Sequence, residues 1–471
     1  MKAVKTLGNM ERSLITDCSS YHNQHSVAET PFLVELFHRL NKAKVKYCVL
    51  RNYQGLPYDL AGSDIDVLVD QKSLNRVIEI MNDVASLHGG RCISQCSVTT
   101  VIYRLCGKDS NHRIWWGVAI DVYPKLEQRQ VEFFDAESVL DNRQVYREIN
   151  VAFSADAAMI SFLKECLANG KSRKNYQKEA SIAYVANTKR YDQILQASFG
   201  SAVARQWREY LLRGGSPKAL RRISRKARRA LCVRALLRNP FATLRAKCGG
   251  TVRRCARLFC PPGIVVAILG TDGAGKSTLI EEIRSMMDKA LHSKSMYEHL
   301  RPNSLPSLAR LFGRPVKEGP TTEPHAGKPS GFLGSLVRLS YYTIDYVIGY
   351  WAKVFPALVK RPCMYVFDRY FYDYYIDPYR SRISLPRWII RAFGLFVPEP
   401  DIILCLGADC EAIHTRKPEL PLEEAKRQID ALRQFCDKNK KAVWIDTGCS
   451  IEESVDQALE AITSRMAARY E

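Results

Sequence analysis

The run Gly270-Thr271-Asp272-Gly273-Ala274-Gly275-Lys276-Ser277, with Thr278 after it, has the residue types and spacing that wrap a polyphosphate. Its glycines free the backbone N–H groups to close round phosphate oxygens, and the N-terminus of a following helix adds partial positive charge. Lys276 is placed to reach the β- and γ-phosphates, and Ser277 to ligate Mg²⁺. Such a loop needs a strand before it and a helix after it. Ile264 to Leu269 is apolar and rich in β-branched residues, while Leu279, Ile280, Ile283, Met287 and Leu291 recur at helical spacing. A glycine-rich surface turn would give no reason for Lys276 and Ser277 to follow so closely.

A second group of chemically capable residues lies in the N-terminal half, in Gly62-Ser63-Asp64-Ile65-Asp66-Val67-Leu68-Val69. Alternation along a strand puts Asp64 and Asp66 on one face and Ile65, Val67 and Val69 on the other, toward the core. Asp121 sits in another strand-like run, Val118 to Tyr123. Three such carboxylates suit a divalent cation, or two, for in-line nucleotidyl transfer. The alternative is that the acids end an exposed strand and the domain only recognises a ligand. Asp70 reads as a solvated strand terminus. Glu165, Lys171, Arg173 and Lys174 fall on a helix-to-loop region able to close over a substrate.

A chain of 471 residues exceeds one ordinary core, so two or three domains are expected. Apolar content of 46% is that of a folded protein. Fifteen cysteines, scattered from Cys18 to Cys449 without a C-x-x-C pair, fit reduced thiols in a cytoplasmic protein better than a disulfide framework. No signal peptide is expected in Met1 to Tyr21, and Val337 to Val359, broken by Asp345 and Lys353, reads as a buried helix. Of the net charge of +21, fifteen units come from Arg213 to Arg257, which contains no Asp or Glu. This segment reads as a helical connector. It is either a solvated linker or a surface for an anionic membrane or RNA.

The residues from 43 to 146, with their Gly62-Ser63 and three acids, resemble the polymerase-β-like nucleotidyltransferase superfamily. The pattern departs in one place: that superfamily carries Gly-Ser about a dozen residues before the first acid to grip triphosphate, and here Arg51-Asn52 stands there. From Gly263 to Glu471 the chain resembles the thymidylate kinase family. The phosphate loop carries this likeness, together with Asp368-Arg369-Tyr370 after an apolar strand, the spacing from Asp409 to Arg416, and a final helix opened by a Ser450/Glu453 capping box. The resemblance implies an ATP site with Mg²⁺, held by Gly270 to Thr278. Asp272 would face the acceptor, Asp368 would organise the metal or attacking group, Arg369 would bind phosphate, and Arg416 with Lys417 would close on the phosphates. The acceptor segment departs from the family: Tyr297 to Pro302 and a Pro/Gly-rich insertion replace it, with Thr322 to Gly327 only a loose echo. His299, Arg301, His325 and Arg380 are candidate acceptor contacts, and Tyr370 to Tyr379 would stack a base or sugar or else pack as core.

The expected architecture is therefore α/β, with an N-terminal tail (1–28), an α+β nucleotidyltransferase-like domain (29–150) and a helical subdomain (151–212). A basic helical connector (213–262) leads to a P-loop kinase domain with a parallel sheet flanked by helices (263–471). The pairing of the two domains also resembles bacterial proteins associated with surface polysaccharide synthesis. Three functions follow as expectations. The first is an ATP-dependent phosphotransferase acting on a nucleotide, sugar phosphate or lipid-linked sugar, with an attached nucleotidyltransferase-like domain. The others are a nucleic-acid end-processing enzyme and a non-catalytic nucleotide-sensing adaptor peripheral to the inner membrane face. Oligomeric state is not legible.

Overall fold

Every residue of the strand that carries Asp66 is buried, and this one strand organises the N-terminal half. The computed structural model describes residues 28–60, 62–97, 100–109, 114–306, 330–411, 416 and 421–470. Most of the N-terminal tail, Thr322 to Gly327 with His325, and Lys417 lie outside them. The chain divides into two units, one made chiefly of residues before 257 and one chiefly of Arg257–Glu471.

The first unit opens with helix α1 (Thr30–Lys42) and strands β1 (Tyr47–Val49) and β2 (Ile65–Val69). Helix α2 (Leu74–Leu87) follows, then β3 (Gly90–Ser97), β4 (Val101–Lys108) and β5 (Trp115–Tyr123). A small hairpin of β6 (Leu126–Gln128) and β7 (Val131–Phe134) leads through α3 (Ala136–Asp141) to β8 (Gln144–Tyr146) and β9 (Ile149–Val151). Seven strands form one mixed sheet in the order β3-β4-β5-β2-β1-β9-β8. Strand β2 is central, antiparallel to β1 and parallel to β5. That position explains why Asp66 is buried along with its apolar neighbours rather than lying on an open face.

Helices α4 (Ser154–Asn169), α5 (Lys174–Ala186), α6 (Thr188–Phe199), α7 (Ser201–Arg213) and α8 (Pro217–Arg238) complete this unit. The basic segment divides here. Leu220, Ile223, Ala227 and Leu231 of α8 belong to one apolar cluster with Phe162, Leu163, Tyr191 and Trp207. This half therefore packs as a core helix of the first unit, with arginines on its wet side. Helix α9 (Pro240–Phe259) is different, since only Thr243 and Gly250 are buried.

The second unit builds a five-stranded, wholly parallel sheet from β10 (Ile264–Gly270), β11 (Met296–His299), β12 (Met364–Asp368), β13 (Ile402–Gly407) and β14 (Ala442–Asp446). Its helices are α10 (Lys276–Leu291), α11 (Phe332–Gly349), α12 (Phe355–Lys360), α13 (Asp373–Ile376), α14 (Arg387–Gly394), α15 (Leu422–Lys438) and α16 (Ile451–Ala467). A π-helical turn, Tyr350–Val354, joins α11 to α12. On one side, Val265, Ala267 and Leu269 pack with Leu339, Tyr346 and Leu432 from α11 and α15. Helix α10 packs on β12 and on α16, which begins with the reciprocal Ser450/Glu453 capping box. The unit is mixed α/β, a parallel sheet flanked by helices, compatible with a P-loop kinase-like domain.

The contrast between α8 and α9 is measurable. Leu220→Ala removes a fully packed side chain and should cost about 2–5 kcal/mol in urea unfolding of the first unit. Phe241→Ala, on the exposed side of α9, should stay within about 0.5 kcal/mol of wild type.

Candidate functional site

The phosphate loop lies where the strand order reverses. Strand β10 has β12 on one side and β13 on the other, in the order β11-β12-β10-β13-β14. Ligands of parallel α/β sheets bind at the carboxyl ends of the strands at such a switch point. The turn after β10 is tight: a Cβ on Gly270 would lie 3.0 Å from the Leu406 carbonyl oxygen. Gly273 and Gly275 have φ of +88° and +77°, a region that favours glycine. Lys276 then begins α10, so the loop N–H groups and the helix N-terminus converge. Ser277 and Thr278 are exposed there, and the buried Thr271 hydroxyl lacks a hydrogen-bond partner.

Lys276 folds back over this loop and donates from Nζ to the carbonyl oxygens of Gly270 (3.0 Å) and Thr271 (2.7 Å). Burial and the charge of Arg369 push its ammonium down to about 7, against the pull of Asp272, Asp368 and Asp373. A neighbouring polyphosphate would restore the charge.

Parallel pairing of Ile268 with Asp368 brings the end of β12 beside the loop. Asp368 Oδ2 accepts a hydrogen bond from Tyr297 (3.0 Å) and faces His299 Nδ1 at 3.4 Å, while its buried Oδ1 has no hydrogen-bond partner. Burial pushes this carboxyl up, but hydrogen bonding by His299 and the charge of Lys276 hold it below its ordinary range. A buried carboxylate oxygen left open beside Lys276, with the exposed Ser277 hydroxyl on the same loop, fits a hard cation.

Next in the chain, Arg369 takes a φ of +70° and is buried. Its Nη1 donates to both oxygens of Asp373 (2.9 and 3.0 Å) and its Nη2 to Asp272 (2.7 Å). Arg380 donates to the other oxygen of Asp272. Burial would raise the Asp272 carboxyl, but the two arginines and Lys276 drive it far below the usual range. The Arg369 side chain is 6% exposed and that of Arg380 26%.

Other candidates fall elsewhere. Arg301 donates to Asp345 (3.1 Å) and lies over the face of Tyr342, contacts that pin its own segment to α11. Tyr370, Phe371, Tyr372 and Tyr374 are core, not a stacking surface. Arg416 is exposed and donates to the Thr447 carbonyl (2.9 Å) just beyond β14.

In the first unit, parallel pairing sets Asp66 opposite Asp121, while Asp64, expected on the same strand, stands just before it, since β2 begins at Ile65. One ligand oxygen from each of the three lies within 4.8 Å of the others. Two cations that local sequence did not tie to these acids are there too. Arg51, just after β1, donates to Asp66, approaches Asp64 at 3.7 Å, and reaches Tyr176 of α5 (3.2 Å). Lys164 of α4 lies 3.7 Å from Asp66 and donates to Tyr123 (2.5 Å). Burial would raise the Asp66 carboxyl, yet Lys164 and Arg51 hold it low. The three acids fit a divalent cation, and part of their charge is already matched. Glu165, Ser172 and Arg173 bond to one another, closing the α4–α5 turn, and the Arg173 guanidinium lies over the ring of Tyr176.

No protein-family model matches the chain, and no curated protein matches it. Among solved structures it is similar to a thymidylate kinase from Ehrlichia chaffeensis. The two are 15% identical, with a TM-score of 0.30, over 42% of this chain and 98% of the other.

Two outcomes are expected. Because the Lys276 ammonium titrates near 7 before ligand arrives, ATP binding should take up a proton at about pH 8 and little at about pH 6, read from the dependence of calorimetric enthalpy on buffer ionisation heat. Arg51→Gln should tighten Mn²⁺ binding to the Asp64/Asp66/Asp121 cluster at least about tenfold, followed by electron paramagnetic resonance, since a cation a few ångströms away no longer opposes the metal.

Proposed function

We propose that this chain is an ATP-dependent phosphotransferase of the P-loop kinase class, using Mg²⁺, with an attached nucleotidyltransferase-like domain of the polymerase-β type. Its acceptor is a nucleotide, sugar phosphate or lipid-linked sugar. One observation carries the reading: Lys276, at the N-terminus of α10, and the Asp272–Arg369–Asp373 ion network meet at the carboxyl ends of adjacent parallel strands. A nucleotide triphosphate would sit on the loop N–H groups with the Lys276 ammonium on its β- and γ-phosphates.

Phosphoryl transfer asks for positioning and charge neutralisation rather than covalent chemistry from the protein. Ser277 and Asp368 are the residues that would hold Mg²⁺, which when bound neutralises charge on the transferring phosphate. Arg369, braced by two carboxylates, fixes Asp272 toward the acceptor side. Arg380 shares Asp272 but is more exposed, so it is the arm free to move to an acceptor's phosphate. Arg416 is the further arginine that would serve the donor phosphates. The departures at Tyr297 to Pro302 support an acceptor other than the family's usual one.

In the first unit, Asp64, Asp66 and Asp121 would hold a divalent cation beside Arg51 and Lys164, two cations suited to an anionic substrate.

Label transfer from γ- and, separately, α-labelled ATP into a cell extract tests both halves. Lys276→Ala should lower γ-label transfer by about 10³-fold, and Asp64→Asn with Asp66→Asn should abolish α-label transfer while sparing γ. Full γ transfer by the Lys276 variant would defeat the assignment.

A further inference from the structure

Helix α9 rests on the protein by the wrong face for a helix in water. Over its 20 residues, Phe241, Leu244, Cys248, Val252, Cys255 and Phe259 fall on one stripe at helical spacing. All six are exposed, Phe241 at 85% and Phe259 at 90%. The side turned to the protein is small or polar. Gly250 lies so close to Gln130 that a Cβ there would come within 2.5 Å of that side chain. Thr243, the other buried residue, donates to carbonyls of Ala235 and Asn239, and Lys247 reaches Cys232 at 2.7 Å. Burying the apolar stripe against this unit would require rolling the helix over and losing the Gly250 seat.

The charges around the stripe select its occupant. Helix α9 carries Arg245, Lys247, Arg253, Arg254 and Arg257 and no acid, and α8, which leads into it, presents Arg221, Arg222, Arg225, Arg229 and Arg238 to solvent. We infer that α9 lies in the interfacial plane of an anionic lipid surface, its apolar stripe among the acyl chains and its arginines at the headgroups. RNA would match the arginines, and its bases could stack on Phe241 and Phe259, but it leaves Leu244, Val252 and the two cysteines between them unmatched. A second copy of the helix would match the stripe but bring arginines onto arginines. No described helix is long and apolar enough to cross a membrane, so the helix lies on the surface, extending about 30 Å along it. The inference does not rest on phosphoryl transfer.

Co-flotation of the full chain, kept reduced, with phosphatidylcholine vesicles and with mixed phosphatidylcholine–phosphatidylglycerol vesicles tests this. Wild type and Lys276→Ala should float with the mixed vesicles and not with phosphatidylcholine alone. Phe241→Ser with Phe259→Ser, both exposed and neutral changes, should weaken that binding at least about tenfold. A Phe241→Trp variant should shift its fluorescence to the blue when mixed vesicles are added. The inference is overturned if the double serine variant floats like wild type. It also fails if vesicles leave the Phe241→Trp emission unchanged while RNA binds with steep salt dependence, or if the serine changes abolish only self-association.

Discussion

A buried guanidinium ties the phosphate loop to the rest of the second unit. Arg369 leaves β12 in a left-handed conformation, which costs a non-glycine residue of order 1 kcal/mol or more, and the charge it buries would cost several more if unpaired. Asp373 and Asp272 together remove that penalty. Asp373 lies four residues on, so this contact shapes the local turn. Asp272 lies in the phosphate loop almost a hundred residues earlier, so the same guanidinium sets where the loop stands relative to β12. With β10 and β12 paired in parallel register, the strand backbones bring the loop and Arg369 together, and the ion network fixes their side chains.

The first unit uses the same balance differently. Asp66 is as deeply buried as Arg369, but its partners come from afar: Arg51 from the end of β1 and Lys164 from α4. With these two cations Asp66 stays ionised in spite of its burial, and a divalent cation would have to compete with them for its oxygens. Tyr176, bonded to Arg51, extends the cluster into α5. The helices after the sheet therefore complete the site.

What could be read from sequence follows from what each signal encodes. The strand, loop and helix around Lys276 and the capping box at Ser450 are local, and each stands as its spacing implied, whereas alternation placed Asp64 on a strand that begins one residue after it. Arg51 was conspicuous only as a departure from a pattern, and the carboxylates it meets lie 13 and 15 residues on, across a strand pairing that no local spacing reveals. Lys164 had no signal, being one lysine on an apolar helix. Tyr370 to Tyr374 could pack or stack equally well, and the choice fell to α11 and α14, whose apolar faces need a partner.

The basic segment shows the limit most clearly, because α8 and α9 are both basic, acid-free helices with an apolar stripe and yet pack by opposite faces. Periodicity reveals that a helix has an apolar stripe but not what covers it. In α8 the stripe meets the aromatic core of α4, α6 and α7, and the arginines are left to water. In α9 the stripe is left to water and a glycine and a threonine meet the protein. Fifteen positive charges without an acid among them in sequence repel one another, and the fold sets one of them, Arg253, near Glu127. An anionic surface bordering something apolar would offset the remaining repulsion and cover the α9 stripe at once, and this joint demand of charge and apolar area is what favours the lipid occupant inferred above over either a polyanion or an apolar partner alone.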